Sequence, residues 1–190
     1  MTTVQRLSVA DTRARMRADH ARLLGILRSG QPDAPPRSAR LHPAYICVAL
    51  YRISNHLYRA GHRLSARLVW HLNLVLTGAD ISEPADLGPG LVIMHPPGTA
   101  IMGTAGRNLT VMACAGIGGE LGRRDDVGAG PGLAVLGDDV VLEPHSGVLG
   151  PIRIGHRVRV GAGIAVARDV PDDTRVEWPA PRYIRRRDLP

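Results

Sequence analysis

His95 and Asp80 are the side chains of this chain best suited to move a proton together. A neutral imidazole accepts a proton from a hydroxyl near pH 7, and this is the step a hydroxyl needs to become a nucleophile. A carboxylate on the other ring nitrogen would hold the imidazole in one tautomer and stabilise the imidazolium. The two residues stand fifteen positions apart, so they meet only if the chain returns on itself with nearly that period. The competing reading makes His95 a turn residue before Pro96-Pro97 and Asp80 a corner residue.

Other candidates carry less. His145 follows Pro144 and His156 lies between Gly155 and Arg157, and both read as exposed turn side chains. His95, His145 and His156 follow one another at spacings of 50 and 11 with no carboxylate pairing, which speaks against a zinc site, so no metal is expected. His56, His62 and His71 read as surface or core-edge residues of helices. Arg123-Arg124-Asp125-Asp126 fits either a lid over an acceptor or a solvated loop.

The element that could bring His95 and Asp80 together is written in the spacing of aliphatic residues. Leu136, Leu142, Val148, Ile154, Val160 and Val166 recur at every sixth position, and Ile81, Leu87 and Ile93 keep the same step earlier. Val140, Ser146, Ile152, Val158, Ile164 and Val170 form a second register four residues later. Neither a helix nor an alternating strand has this period. A sustained six-residue repeat with Gly, Asp and Pro at the corners specifies a parallel β-helix of about eighteen residues per coil, stabilised by stacking. About five coils fit between 78 and 170.

Before the repeat, residues 8–29 read as a helix, 31–40 as a Pro-rich linker, and the stretches from 43 and after Gly61 as two more helices. Ile46, Leu50, Ile53 and Leu57 lie on one face of the second helix, and Leu64, Leu68, Leu72 and Val75 on one face of the third. Gly118 to Gly132 interrupts the array as a long loop. The expected organisation is a helical region over 1–77, a β-helix over 78–171 and a tail over 172–190.

Composition agrees with this frame. The chain has 190 residues, 3% aromatics and no Phe, as a narrow interior lined by small branched side chains requires. The net charge of +7 would suit a polyanionic ligand. No nucleic-acid-binding motif accompanies it, and the densest basic run, Arg185-Arg186-Arg187, is near the end of the chain. Cys47 and Cys114 sit in apolar contexts and read as buried, reduced thiols. No segment is long and apolar enough to span a membrane, and the first residues lack a signal-peptide core. The expectation is a cytoplasmic protein with no nucleic-acid or membrane partner.

Several phrases match more than a period. Leu76-Thr77-Gly78-Ala79-Asp80-Ile81 resembles the entry to the solenoid of serine O-acetyltransferases, and Gly90-Leu91-Val92-Ile93-Met94-His95 resembles the segment carrying their catalytic histidine. Gly116-Ile117-Gly118-Gly119, Val160-Gly161-Ala162-Gly163 and Asp169-Val170-Pro171 are similar to that family's later coils. The resemblance covers roughly residues 42 to 184. It implies a left-handed β-helix of the hexapeptide-repeat acyltransferases, a homotrimer, acetyl-CoA as donor and a small hydroxyl compound as acceptor. His95 would be the general base and Asp80 its partner. Gly150, Arg159, Gly161, Ala162, Gly163 and Arg182 would contact the donor.

Two positions depart from the family pattern. Met94 stands where the family has Asp, and Gly132 and Leu133 fall where it has an Arg-His pair that helps hold serine. Met94 and Leu133 would therefore line an acceptor site that cannot anchor an ammonium group as those residues do. The readings left open are transfer to serine or a serine-like compound, transfer to a sugar hydroxyl, and a non-catalytic β-helical scaffold.

Overall fold

The computed structural model describes residues 7–179 except 31, 34 and 121. Four helices precede the repeat: α1 (Val9–Gly30), α2 (Pro36–Leu41), α3 (Pro43–Arg59) and α4 (Arg63–Thr77). Ser8 and Asp11 cap α1 reciprocally. The Asp11 N–H donates to the Ser8 Oγ at 3.0 Å, and the Ser8 N–H to the Asp11 carboxylate at 3.0 Å. The Pro-rich stretch expected to be only a linker contains α2, because Pro36 stands at the first helical position, where a missing N–H costs nothing. Gly78 ends α4 in the left-handed conformation at φ 71°.

Fourteen short strands then wind into three parallel sheets. Sheet A stacks β1 (Asp80–Ile81), β4 (Ala100–Ile101), β7 (Gly116–Gly118), β10 (Gly147–Leu149) and β13 (Ala165–Val166). Sheet B stacks β2 (Asp86–Leu87), β5 (Thr104–Ala105), β8 (Val135–Leu136) and β11 (Arg153–Ile154). Sheet C stacks β3 (Val92–Ile93), β6 (Thr110–Val111), β9 (Val141–Leu142), β12 (Arg159–Val160) and β14 (Arg175–Val176). Every third strand returns to the same sheet, which makes a triangular, left-handed parallel β-helix of five coils.

The six-residue period is the register of this stack. Ile81, Ile101, Ile117, Val148 and Val166 form one inward ladder, and Ile93, Val111, Leu142, Val160 and Val176 another. All but Val176, which is partly buried, are buried in one continuous core, and each such side chain contributes about 1.5–3 kcal/mol relative to exposure. Strand pairing runs past the end read from the spacing. Val170 bridges to Ile154, and β14 pairs with β12.

The helices dock in a way their apolar pattern does not announce. Leu64, Leu68, Leu72 and Val75 of α4 are exposed, Val75 at 80%, and so are Ile46 and Ile53 of α3. The faces turned to the coils are instead rich in polar groups. Arg52 of α3 forms a buried ion pair with Asp19 of α1 at 2.9 Å, and also donates to the Leu87 and Gly88 carbonyls. Asp19 in turn accepts the Leu91 N–H at 2.8 Å. Arg15 donates to Asp86 and the Leu87 carbonyl, and Arg22 to the Gly90 and Leu109 carbonyls. Residues 15, 19 and 22 share one face of α1. That face closes the corner residues 87–91 of the first coil.

Candidate active site

His95 stands at the corner between sheets C and A, just after β3. It is exposed, at φ 59°. Left-handed geometry recurs at this edge in Cys114 (φ 56°) and His145 (φ 60°), so it is a property of the corner and not a mark of catalysis. The corner holding His95 is longer than those above it. Val92 of β3 stands eight residues before Ala100 of β4, whereas Thr110 and Gly116, Val141 and Gly147, and Arg159 and Ala165 stand six apart, so two extra residues lie between β3 and β4. Close packing holds this insertion. The Gly98 N–H donates to the Gly78 carbonyl at 3.0 Å, and a β-carbon on Gly78 would lie 3.1 Å from the Pro97 Cα. The helix-ending glycine is thus also the floor of the His95 corner.

Asp80 lies one coil below, and its N–H donates to the Thr99 carbonyl at 2.9 Å. Its Oδ1 accepts a hydrogen bond from the Trp70 indole at 2.9 Å. Trp70 projects from α4, and Arg67 lies over its ring. Among the described residues, neither Asp80 nor any other group hydrogen-bonds the His95 ring. Trp70 was not singled out from the sequence; its place ten residues before Asp80, on the last turns of the entering helix, is the signal that could have found it.

The other expected site residues divide between two edges. Arg159, Gly161, Ala162 and Gly163 lie at or beside the same C-to-A edge as His95, higher in the stack. Leu133 and Gly150 lie on the A-to-B edge. Leu133 ends the long insertion between β7 and β8 and, with Ser82, Pro84, Ala85, Met102 and Ala129, lines a recess of about 100 Å³. The insertion carries its own hydrogen bonds: Gly132 N–H to the Asp125 carbonyl at 2.8 Å, and Gly128 and Gly130 N–H to Asp126. Those two amides hold the Asp126 carboxyl below its ordinary range. Met94 faces the helices, packing on the cluster of Leu23, Ala39, Ala44 and Val92. Arg182 lies outside the described residues.

Arg159 already has a partner. Its guanidinium donates to Glu143 at 2.7 Å, and the Ala162 N–H donates to the other oxygen of the same carboxylate at 3.2 Å. The hydrogen bond from Arg159 holds the Glu143 carboxyl below its usual range. Glu143, Gly161, Ala162, Ile164, Glu177 and Trp178 line a groove of about 380 Å³ at the top of this edge. A larger depression, about 690 Å³, lies across sheet B and is lined by His156 but by none of the expected catalytic, donor or acceptor residues. Cys114, expected to be buried, is exposed, because the corner that carries it turns its side chain out of the coil. Among the described residues no group of three or more metal-ligating side chains converges, and no helix is long and apolar enough to cross a membrane.

The three-sheet coil with its six-residue ladder defines a hexapeptide-repeat β-helix protein, and known proteins narrow the class. No protein-family model matches the chain. The serine acetyltransferase of Synechococcus elongatus is 34% identical over 140 residues, spanning 71% of this chain and 54% of that protein. That of Mycobacterium tuberculosis is 33% identical over 148 residues, spanning 76% and 62%. The crystal structure of the Neisseria gonorrhoeae serine acetyltransferase superposes with a TM-score of 0.77 at 25% identity, over 91% of this chain and 68% of that one. The same enzyme in complex with serine gives 0.74. The chain is similar to serine acetyltransferases and shares their hexapeptide-repeat β-helix fold. It spans a little over half the length of the Synechococcus and Mycobacterium proteins.

Proposed function

We propose that the protein transfers an acetyl group from acetyl-CoA to the hydroxyl of serine or a serine-like small molecule, and that it works as a homotrimer. The observation that carries this reading is the division of the site. His95 and the donor positions Arg159 and Gly161–Gly163 share the C-to-A edge, while the donor position Gly150 and the acceptor position Leu133 lie on the A-to-B edge. One chain cannot close these edges on one another. A threefold arrangement that sets the C-to-A edge of each copy against the A-to-B edge of the next builds three complete sites. The exposed Leu64, Leu68, Leu72 and Val75 stripe supports self-association, since a monomer rarely leaves such a row uncovered.

In this arrangement the acceptor hydroxyl gives its proton to the His95 imidazole as its oxygen attacks the thioester carbonyl. The tetrahedral intermediate collapses, the ester forms, and the leaving sulfur takes the proton from the imidazolium as free CoA. Asp80, with Oδ1 held by Trp70, keeps Oδ2 for the imidazole and orients that exposed ring once acceptor and partner copy close over it. Both cysteines are free, which suits a reducing, cytoplasmic setting.

Release of CoA thiol, followed across L-serine, other amino alcohols and simple sugars, tests the reading. Wild-type protein is expected to release thiol with at least one amino alcohol, and His95→Ala to lower kcat by about 100-fold or more. Equal rates in the two proteins would remove His95 from the mechanism. No release and no thermal stabilisation by acetyl-CoA would leave the scaffold reading, which Met94 and Leu133 favour.

A further inference from the structure

We infer that Trp178 is a stacking platform for the purine of the acyl donor, at the groove crowning the C-to-A edge; this rests on the donor reading above. The indole is 67% exposed, an unusual state for the largest apolar ring. It lies against the last corner of the coil, where a β-carbon on Gly163 would sit 4.0 Å from its Nε1. With Gly161 and Ala162 it forms one wall of the groove of about 380 Å³.

The charges in the groove decide which part of a donor fits. Glu143 and Glu177 line it. Among the described residues, Arg159 is engaged by Glu143 and Arg175 by Glu177. A phosphate here would meet two carboxylates and no uncommitted partner among these four groups. A neutral flat base meets the opposite conditions. Its face lies on the indole, and an exocyclic amine can donate to either carboxylate. Adenine has both features. Gly161, Ala162 and Gly163 keep the groove's own corner small, and the same edge continues down through the Pro144-His145 and Ala113-Cys114 corners to His95, a line along which a long, thin arm would run.

Base stacking on an aromatic side chain contributes roughly 1–3 kcal/mol by alanine substitution. Titration of wild type, Trp178→Ala and Trp178→Phe with CoA, and by competition with 4′-phosphopantetheine, tests the inference. Trp178→Ala should weaken CoA about tenfold and leave the phosphopantetheine constant unchanged, whereas Trp178→Phe should stay within about threefold of wild type. CoA should quench wild-type indole fluorescence, and the quench should vanish in Trp178→Ala although Trp70 remains. Unchanged CoA affinity in Trp178→Ala, or an equal loss for both ligands, overturns the stacking role and leaves the donor reading intact. A wild type that binds no CoA overturns both.

Discussion

The site proposed between neighbouring copies would behave as a self-contained one cannot: two dead proteins would make a live one. His95→Ala disables the C-to-A edge of a copy and leaves its A-to-B edge sound. Leu133→Trp does the reverse, placing a large ring at the mouth of the recess lined by Met102 and Ala129. Co-expressed with different tags and purified through both, the two variants yield only mixed trimers. In a ring of three, any two-to-one mixture contains one interface at which a sound C-to-A edge faces a sound A-to-B edge. One site of three is restored, so the hybrid should turn over at about one third of the wild-type rate. Each parent homotrimer should sit about 100-fold below wild type. Thiol release reads the rates, and mass measurement confirms the trimer. A hybrid as inactive as its parents refutes the arrangement, because a site closed within one chain cannot be rescued by a neighbour.

Three further outcomes follow from the packing. Arg52→Met should lower stability by about 3–5 kcal/mol in denaturant unfolding, since it strands the Asp19 carboxylate in the interior, and the double variant with Asp19→Leu should recover part of that loss. Burial pushes the Cys47 thiol up to about 11. A thiol raised in the folded state stays protonated while the unfolded thiol ionises, so its contribution is fully present below about pH 9 and is lost as pH rises toward 11, at a cost of about 3 kcal/mol. Cys47→Ala should flatten that alkaline limb, and in native wild type an aromatic disulfide reagent should titrate the exposed Cys114 quickly and Cys47 only after unfolding. Met94→Asp should lower the melting temperature without conferring serine affinity, because the new carboxylate would enter the Leu23, Ala39 and Val92 cluster.

Repetition made the coil legible. An inward aliphatic at every sixth residue leaves one regular solution, and the ladders through Ile117, Leu142 and Val160 follow it. The helices were legible as helices but not in their orientation. Charged side chains ordinarily face water, so nothing local signals that Arg15, Asp19 and Arg22 turn inward while Leu68 and Val75 turn out. Arg15 and Arg22 turn inward because corner carbonyls of the coil need donors, and Asp19 because the Leu91 N–H and the Arg52 guanidinium need an acceptor. His95 and Asp80 stand out by type and by a spacing near one coil, while the hydrogen bond from Trp70 to Asp80 depends on how α4 meets β1. The unbroken step of six from Leu136 to Val166 lets the two corners between Gly150 and Gly161–Gly163 be counted, but the insertions at Pro96-Pro97 and Gly118–Gly132 hide from the sequence alone which of them shares an edge with His95. Capture of Arg159 by Glu143 is likewise a contact across coils.

The acceptor follows from where Met94 points. An aspartate at that corner could serve a ligand only if its carboxylate faced the cleft, since burying a charge among apolar groups is costly. In this chain the position is committed to the fold: Met94 joins α1, α2 and α3 to β3 through Leu23, Ala39, Ala44 and Val92. The second acceptor position, Leu133, lines a recess with Pro84, Ala85 and Met102, so neither side of the proposed cleft offers a charge for an ammonium group at these positions. Proton transfer at His95 does not need that charge; recognition of a zwitterionic amino acid does. On the proposed function, a serine-like acceptor whose hydroxyl is presented on a less polar frame should therefore release thiol at a lower KM than free serine, and a lower KM for serine in wild-type protein would refute this reading of Met94 and Leu133.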